Sequence, residues 1–175
     1  IFLSEKSPPI PFVSEESSLK VRCGAYSDFS SNEHFLVHLC RLEQEAFPSI
    51  GQWSRQVLEA SLQISTNRVV VLEHNQNEVT AIIGYGLISV IPPEAEILRF
   101  TIGKDFRGRH LGGFLLDHAV TQLRDIGVSE VYLEVNEHNG TALSLYRGRS
   151  FFETGRRPGY YDNGTSAAIL MRRNV

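Results

Sequence analysis

The sequence predicts an α/β fold in which a mixed sheet of about seven strands carries about four helices on both faces. Three patterns predict it. Residues 68–73 are rich in Val, which favours a strand. Residues 111–126 carry apolar side chains at helical spacing and are followed by Gly127, a typical helix C-cap. Residues 130–136 alternate between apolar and polar, as a strand with one buried face does.

The remaining elements follow from the same apolar spacings and from turn residues. Their predicted order is strand 19–26, helix 32–47, a second helix from Ser54, strands 68–73, 80–90 and 96–103, helix 111–126, strand 130–136, helix 141–149, and strands 151–156 and 166–172. Ser31 or Asn32 is expected to cap the first helix, and Pro48 to end it. Asn75-Gln76-Asn77 and Pro92-Pro93 are predicted to form turns between strands.

Length and composition predict one globular domain. The chain has 175 residues, of which 42% are hydrophobic and 21% charged. Residues 1–18, rich in Ser, Glu and Pro, are predicted to be a flexible N-terminal arm, and 19–175 the domain. No apolar stretch approaches the ~20 residues that span a bilayer, so we expect no membrane association. The isolated Cys23 and Cys40 favour a reducing, cytoplasmic location over a disulfide framework.

The charge is distributed unevenly along the chain. Residues 1–98 carry a balance of −6, and residues 99–175 a balance of +3. A basic C-terminal half suits a polyanionic cofactor and an acidic N-terminal half suits a cationic substrate; chance distribution of surface charge is the alternative. The chain as a whole is not basic enough to indicate nucleic-acid binding.

A basic, glycine-containing turn lies between a predicted strand and a predicted helix. Its residues are Arg107-Gly108-Arg109-His110-Leu111-Gly112-Gly113. The first N–H groups of a helix are unpaired, and the helix dipole favours negative charge beside them. This placement predicts a phosphate-binding site. A metal site is not predicted, because His34 and His38 share a helical face without a third ligand, which indicates a surface pair.

Several short segments occur in a characteristic order. They are Arg107-x-x-His110-x-Gly112, Leu133-Glu134-Val135, Asn139, Ala142, Leu145-Tyr146 and Gly155-Arg156-Arg157-x-x-Tyr160-Tyr161, followed by Ala168 and Met171. Together they resemble the GNAT superfamily of N-acetyltransferases over residues 20–173, and the ribosomal-protein-alanine N-acetyltransferase family over residues 99–172. Ala46-Phe47-Pro48 and Trp53-Ser54 resemble the substrate-side segment of that family.

The resemblance implies acetyl-CoA as co-substrate and no metal. The backbone of Phe100, Thr101 and Ile102 would pair with the pantetheine arm, and an amide near Ile102 would face the thioester carbonyl. The pyrophosphate would be held by Arg107, Gly108, Arg109, His110, Leu111, Gly112 and Gly113, with Asn139 as both helix cap and cofactor contact. His110 stands where the family has glycine. Either the turn keeps a negative φ, or the histidine is held in mild strain.

The resemblance also assigns the catalytic and acceptor residues. Glu134 would be the general base, taking a proton from the amine through water, and Tyr146 the general acid, donating to the departing thiolate. An ordinary exposed glutamate and a packing tyrosine are the alternatives. Trp53, Tyr160 and Tyr161 would lie on the substrate side, where aromatic rings with polar tips suit a peptide.

The implied function is acetylation of the N-terminal α-amine of a protein by direct amine attack. No Cys or Ser is placed as a nucleophile for an acyl-enzyme. By resemblance the acceptor is the N-terminal alanine of small-subunit ribosomal protein S18. The alternatives are acetylation of a small-molecule amine, and a non-catalytic acyl-CoA-binding domain. No nucleic-acid partner is expected, and the pattern does not predict an oligomeric state.

Overall fold

The computed structural model describes residues 18–29, 34–47, 51–76 and 79–175. The elements within these ranges are β1 (Leu19–Gly24), α1 (Phe35–Ala46), α2 (Arg55–Leu62), β2 (Asn67–Gln76), β3 (Val79–Ile91), β4 (Glu94–Ile102), α3 (Leu111–Asp125), β5 (Glu130–Asn136), α4 (Gly140–Arg147), β6 (Phe152–Tyr161) and β7 (Ser166–Asn174). Short 3₁₀ turns follow β1, β4 and β6. The predicted element order and the mixed sheet are confirmed. No helix of the described ranges is both long and apolar enough to cross a membrane.

The strands form one seven-stranded sheet in the order β1-β2-β3-β4-β5-β7-β6. Neighbouring strands pair antiparallel except β4 and β5, which are parallel. The parallel pairing extends only from Glu94↔Glu130 to Ile97↔Leu133. Beyond it, β4 continues to Ile102 and β5 to Asn136 without pairing to each other. A gap therefore opens in the middle of the sheet at the carboxyl ends of these two strands.

Helices cover both faces of the sheet. The apolar sides of α3 and α4 pack into a core with β4, β5 and β7, and those of α1 and α2 pack into a second core against β2 and β3. On β5 the predicted alternation is confirmed, since Val131, Leu133 and Val135 are buried in the α3/α4 core. The polar residues between them therefore face the α1/α2 side.

Three helix boundaries bear on the sequence predictions. The second helix starts at Ser54 as predicted, and Ser54 caps it, because its hydroxyl accepts the Val57 N–H at 3.3 Å. Gly127 follows α3 with a φ of 88°, the conformation of a glycine C-cap. The structure starts α1 after His34; the predicted cap at Ser31 or Asn32, the stop at Pro48 and most of the predicted arm, residues 1–17, lie outside the described residues.

The predicted turn at Asn75-Gln76-Asn77 is wrong for its first two residues. Asn75 and Gln76 belong to β2 and pair with Thr80 and Val79 of β3; Asn77 lies outside the described residues. Asn favours turns locally, but cross-strand pairing within a long hairpin overrides that preference. The last predicted strand pair is also longer than expected, because β6 runs on to Tyr161.

Candidate active site at the gap between β4 and β5

The turn before α3 adopts a left-handed conformation at two positions. Gly108 has a φ of 74°, and His110, the N-cap of α3, has a φ of 61° and a ψ of 7°. Of the two alternatives for His110, the structure shows the strained one. The first backbone hydrogen bond of the helix runs from the Phe114 N–H to the His110 carbonyl at 3.2 Å. The N–H groups of residues 111–113 precede that bond and are the orphan donors of the helix start.

Two arginines of this turn have structural contacts of their own. Nε of Arg107 donates to the Ile102 carbonyl at 2.8 Å, and its Nη2 reaches the Glu45 carbonyl at 3.5 Å. The Arg107 side chain thereby fastens the turn to the end of β4. Arg109 is exposed, with its guanidinium 5.7 Å from the centre of the Phe106 ring.

The glycines of the first turn of α3 allow close packing by α4. A Cβ at Gly112 would lie 3.4 Å from the Leu145 side chain, and a Cβ at Gly113 would overlap the Arg149 guanidinium. Arg149 also pairs with Asp117, one turn further along α3, with Nε and Oδ2 3.4 Å apart. The small residues thus bring α4 against the start of α3, beside the orphan N–H groups and the gap. This arrangement fits a pyrophosphate: backbone donors, a helix N-terminus and nearby arginines.

The three residues expected to contact the pantetheine arm form the last part of β4. Phe100, Thr101 and Ile102 pair with β3 on one edge and have no β5 partner on the other. Thr101 and Ile102 are buried, and Phe100 packs against the α3/α4 core. Their backbone edge on the β5 side borders the gap.

Glu134 is the first residue of β5 beyond the last pair with β4. Its side chain is 21% exposed and faces the α1/α2 side. The Arg157 guanidinium binds both carboxylate oxygens, with Nη2 3.0 Å from Oε1 and Nη1 3.5 Å from Oε2. Arg157 also lies 4.8 Å from the centre of the Tyr160 ring. This two-point contact fixes the orientation of the carboxylate.

Tyr146 lies on the other face of the sheet from Glu134. It is 6% exposed on α4 within the α3/α4 core, with its ring edge-on to Phe151 at 5.5 Å. Burial raises the pKa of the Tyr146 phenol, with a smaller contribution from Tyr161. The hydroxyl therefore stays protonated at neutral pH. Asn139 caps this helix as predicted, since its side-chain oxygen accepts the Ala142 N–H at 3.1 Å.

Tyr161 interacts electrostatically with both candidate catalytic residues. Burial raises its pKa, and the charge of Glu134 raises it further, while Arg99 and Arg157 lower it. The Tyr146 phenol in turn interacts with Tyr161. Tyr161 therefore lies within electrostatic range of both Glu134 and Tyr146. Tyr160 packs edge-on against it at 4.9 Å and is 49% exposed.

A cleft of about 400 Å³ opens beside Glu134 on the α1/α2 face. Its walls include Ser89, Glu96, Tyr132, Glu134, Thr154 and Leu170. Burial raises the pKa of Glu96, the negative charge of Glu134 raises it further, and Arg157 partly offsets both. The cleft is thus acidic, and it borders the proposed base. Glu96 and Arg157 were given no role by the sequence patterns, although Arg157 lies within one of the matching segments.

Sequence patterns also missed a buried charge network under the loop between α1 and α2. Glu43 is 1% exposed, accepts a hydrogen bond from the Tyr85 hydroxyl and lies 3.4 Å from Nε of Arg99. The Arg99 guanidinium packs on the rings of Phe47 and Trp53. Trp53, predicted on the substrate side, is therefore half-buried against Arg99. A carboxylate on the apolar side of helix 32–47 was the available signal.

No group of three or more metal-ligating side chains occurs within the described part of the chain. His38 has a pKa lowered mainly by burial, with the Arg41 charge and His34 adding to that effect.

Known proteins resemble this chain in sequence and in fold. The acetyltransferase (GNAT) family matches residues 36–151. The uncharacterised protein ML0378 of Mycobacterium leprae is 33% identical over 143 residues, which are 77% of this chain and 37% of that protein. The ribosomal protein bS18-alanine N-acetyltransferase of Salmonella typhimurium is 34% identical over 89 residues, 50% of this chain and 60% of that enzyme. The chain thus spans only part of the length of these two relatives.

A solved structure shows the same fold. The ribosomal-protein-S18-alanine N-acetyltransferase from Escherichia coli superimposes with a TM-score of 0.74 at 25% sequence identity, covering 90% of this chain and 94% of the other.

Proposed function

The chain belongs to the acetyltransferase (GNAT) family, and from that premise we propose that it transfers the acetyl group of acetyl-CoA to the N-terminal α-amine of a protein. One observation carries the proposal. Glu134 lies directly beyond the last β4–β5 pair and faces the α1/α2 side of the sheet, and Tyr146 is buried in the α3/α4 core on the other side, with Ile102 and Val135 of the two strands that border the gap. A proton acceptor and a proton donor on either side of one gap suit a transfer reaction.

The donor side is assigned to the gap and the turn before α3. The N–H groups of residues 111–113 would hold the pyrophosphate, and the free edge of residues 100–102 would hold the pantetheine arm. Asn139 would add a side-chain contact at the start of α4. Acetyl-CoA, when bound, supplies the activated acetyl group; this chain supplies its orientation and the proton transfers.

The proton transfers are assigned to Glu134 and Tyr146. An N-terminal α-amine has a pKa of about 7.7–8.0, so a large fraction is protonated at pH 7 and must lose a proton before attack. Glu134 accepts that proton, and Arg157 holds the carboxylate in place to receive it. Tyr146 gives its hydroxyl proton to the leaving thiolate, since its raised pKa keeps it protonated. A backbone amide near Ile102 would stabilise the developing oxyanion.

The acceptor is assigned to the acidic cleft beside Glu134. The names of the relatives support a ribosomal protein S18 N-terminus with alanine first as the acceptor. The hydroxyl groups of Ser89 and Thr154 line this cleft and suit hydrogen bonds to a peptide. The proposal places the enzyme in the cytoplasm, where new N-termini arise. Acetylation of a small-molecule amine is the second candidate, favoured only by the negative charge of Glu96 in the cleft.

The test is acetyl transfer to a panel of acceptors, with mass spectrometry locating the acetyl group. The panel contains the S18 N-terminal peptide, the same peptide with its α-amine blocked, and a polyamine. We expect the α-amine to be modified and the blocked peptide to be inert. Modification confined to lysine ε-amines or to the polyamine would contradict the peptide N-terminus assignment.

A variant pair tests the proposed base. Glu134→Gln should lower kcat/KM by about 10²–10⁴, the usual contribution of general base catalysis. Glu137→Gln is the matched control, because Glu137 follows the same strand and also pairs with an arginine, Arg156. Glu134 is not the base if both variants keep wild-type turnover on the true acceptor.

A further inference from the structure

Arg99 fastens the loop between α1 and α2 to strand β4. Its guanidinium lies between two rings, 4.4 Å from the centre of Phe47 and 4.2 Å from that of Trp53. Its Nη2 donates to the Gly51 carbonyl at 2.6 Å. The side chain is 13% exposed, so this contact is largely shielded from water. A planar guanidinium suits this place, because its faces stack on rings while its edge donates hydrogen bonds.

A β-bulge directs Arg99 to this loop. The pairing of β4 with β3 shifts between Ile97↔Ile88 and Arg99↔Leu87, which leaves Leu98 as the extra residue. Side chains of a regular strand alternate, so Arg99 would otherwise share a face with Ile97, in the α3/α4 core. With the bulge, Arg99 faces the α1/α2 side, as does its partner Leu87. The bulge lies at the start of the gap, directly after the last β4–β5 pair.

Glu43 of α1 forms an ion pair with Arg99. Its Oε1 lies 3.4 Å from Arg99 Nε and accepts the Tyr85 hydroxyl, and its Oε2 accepts the Trp53 N–H at 3.3 Å. Burial, reinforced by the Glu43 charge, raises the pKa of Tyr85 far above its usual range, so this phenol acts as a donor. Carboxylate and guanidinium thus fix the loop at two backbone points, the Gly51 carbonyl and the Trp53 N–H.

Arg99 lies at the gap on the same face of the sheet as Glu134. Arg99 comes two residues after the last β4–β5 pair on β4, Glu134 comes one residue after it on β5, and both side chains face the α1/α2 side. The positive charge of Arg99 also lowers the pKa of Tyr161. Arg99 therefore contacts Trp53 directly and interacts electrostatically with Tyr161. The Gly51–Trp53 segment that Arg99 contacts therefore lies on the same face of the gap as Glu134.

We propose that Arg99 is a positioning residue that holds the Gly51–Trp53 segment against β4 and so sets one wall of the acceptor site. This inference rests on the proposed function, since the wall matters only if an acceptor binds beside Glu134. Arg99 takes no part in proton transfer. It acts through the loop, so its loss should weaken acceptor binding and leave the donor site intact.

The first experiment uses the only tryptophan of the chain, Trp53, as a reporter of loop position. In Arg99→Gln, Trp53 should lose its stacking partner, and its emission should shift to the red and become more accessible to iodide quenching. Arg99→Lys should restore the emission in part, because it keeps the charge without the planar stack. Unchanged emission and quenching in a folded Arg99→Gln protein would overturn the inference, whatever its activity.

A double variant distinguishes a change in loop position from misfolding of the protein. Arg99→Gln leaves Glu43 buried without its cation, which is strongly destabilising in general. Arg99→Met with Glu43→Gln removes both charges. The amide oxygen of the glutamine can accept the Trp53 N–H, and its NH2 group can donate to the Tyr85 hydroxyl oxygen. We expect this protein to fold and still to show the altered Trp53 emission.

The second experiment separates acceptor from donor kinetics. KM for the acceptor peptide should rise about tenfold in Arg99→Gln and in the double variant, the factor equivalent to about 1.4 kcal/mol of binding free energy. KM for acetyl-CoA and the Kd of coenzyme A should stay at their wild-type values. Equal rises in both KM values, or a loss confined to kcat, would show that Arg99 does not act on the acceptor wall.

Arg22→Gln is the matched control. Arg22 also stacks on a ring, 4.6 Å from the centre of Phe29, and pairs with a buried carboxylate, Glu73, at 3.0 Å. It lies on β1, away from the gap, so its loss should alter neither Trp53 emission nor either KM. If wild type acetylates no member of the acceptor panel, the proposed function fails, whereas Trp53 emission still decides whether Arg99 holds the loop.

Discussion

Replacing His110 tests whether the turn before α3 stores backbone strain. His110 has a φ of 61° and makes no side-chain cap hydrogen bond, and its side chain is exposed. A residue with a Cβ in this left-handed region costs about 1–2 kcal/mol, and a β-branched residue fits it worst. His110→Gly removes the penalty but gives the unfolded chain more freedom, which offsets about 0.4–1 kcal/mol. We expect His110→Gly to be as stable as wild type or up to about 1 kcal/mol more stable.

His110→Val should have the opposite effect, losing about 1 kcal/mol relative to wild type because of its branched Cβ and because Val is a poor N-cap. The Gly and Val variants should then differ by about 1–2 kcal/mol. For a chain of this length, 1 kcal/mol shifts Tm by about 2–4 °C. The expected difference in Tm between the two variants is therefore about 2–8 °C.

The assay is thermal unfolding followed by circular dichroism, with Arg109 as the neighbouring control position. Arg109 has no positive φ, so there Gly should be the less stable replacement and Val the more stable one. Coenzyme A should bind the His110→Gly protein with a Kd within about threefold of wild type, since the backbone N–H donors are unchanged. A His110→Val protein that melts at or above the His110→Gly protein would refute the strained turn.

Three further outcomes follow from single side chains. Tyr146→Phe should lower kcat by about 10²-fold or more while keeping Tm, because only the hydroxyl is lost and the ring still packs on Phe151; a kcat close to wild type would exclude it as the general acid. Asn139→Ala should cost about 1 kcal/mol of stability in thermal unfolding, whereas Asn139→Asp keeps the cap, and equal Tm values for the two would show that capping contributes nothing. Glu96→Gln should raise Tm by about 1–2 °C at pH 7, the size of a surface change, and should leave Tm unchanged at pH 4. The pKa of Glu96 is raised, so the folded protein favours the protonated carboxyl group, and the stability that this group contributes at low pH is lost as pH rises. A Tm difference that is the same at both pH values would contradict that assignment.

Local sequence patterns predicted the elements in which buried and exposed residues recur with the period of a strand or of a helix. The alternation of β5 placed Glu134 on the polar face correctly, because one residue decides the face of the next in a strand. The cap at Asn139 was also predictable, since it depends on a contact three residues away.

The acceptor side was not predictable in the same way. The bulge at Leu98 shifts the face of every later residue in β4, and no local pattern marks it. Arg99, Glu43 and Tyr85 come from three separate elements and meet only when β3, β4 and α1 pack together. The turn predicted at Asn75 and Gln76 was wrong for the related reason that distant pairing overrides local preference.

The short β4–β5 pairing has a consequence for the cooperativity of the whole sheet. It leaves a block of four strands and a block of three joined through only the pairs from Glu94↔Glu130 to Ile97↔Leu133. Two strand edges, which proteins ordinarily pair or cover, therefore meet inside one sheet. Amides along this seam should exchange with deuterium faster than those of the paired interior. A donor molecule lying in the gap would bridge both edges like an additional strand, so that ligand binding and sheet stability become one coupled equilibrium.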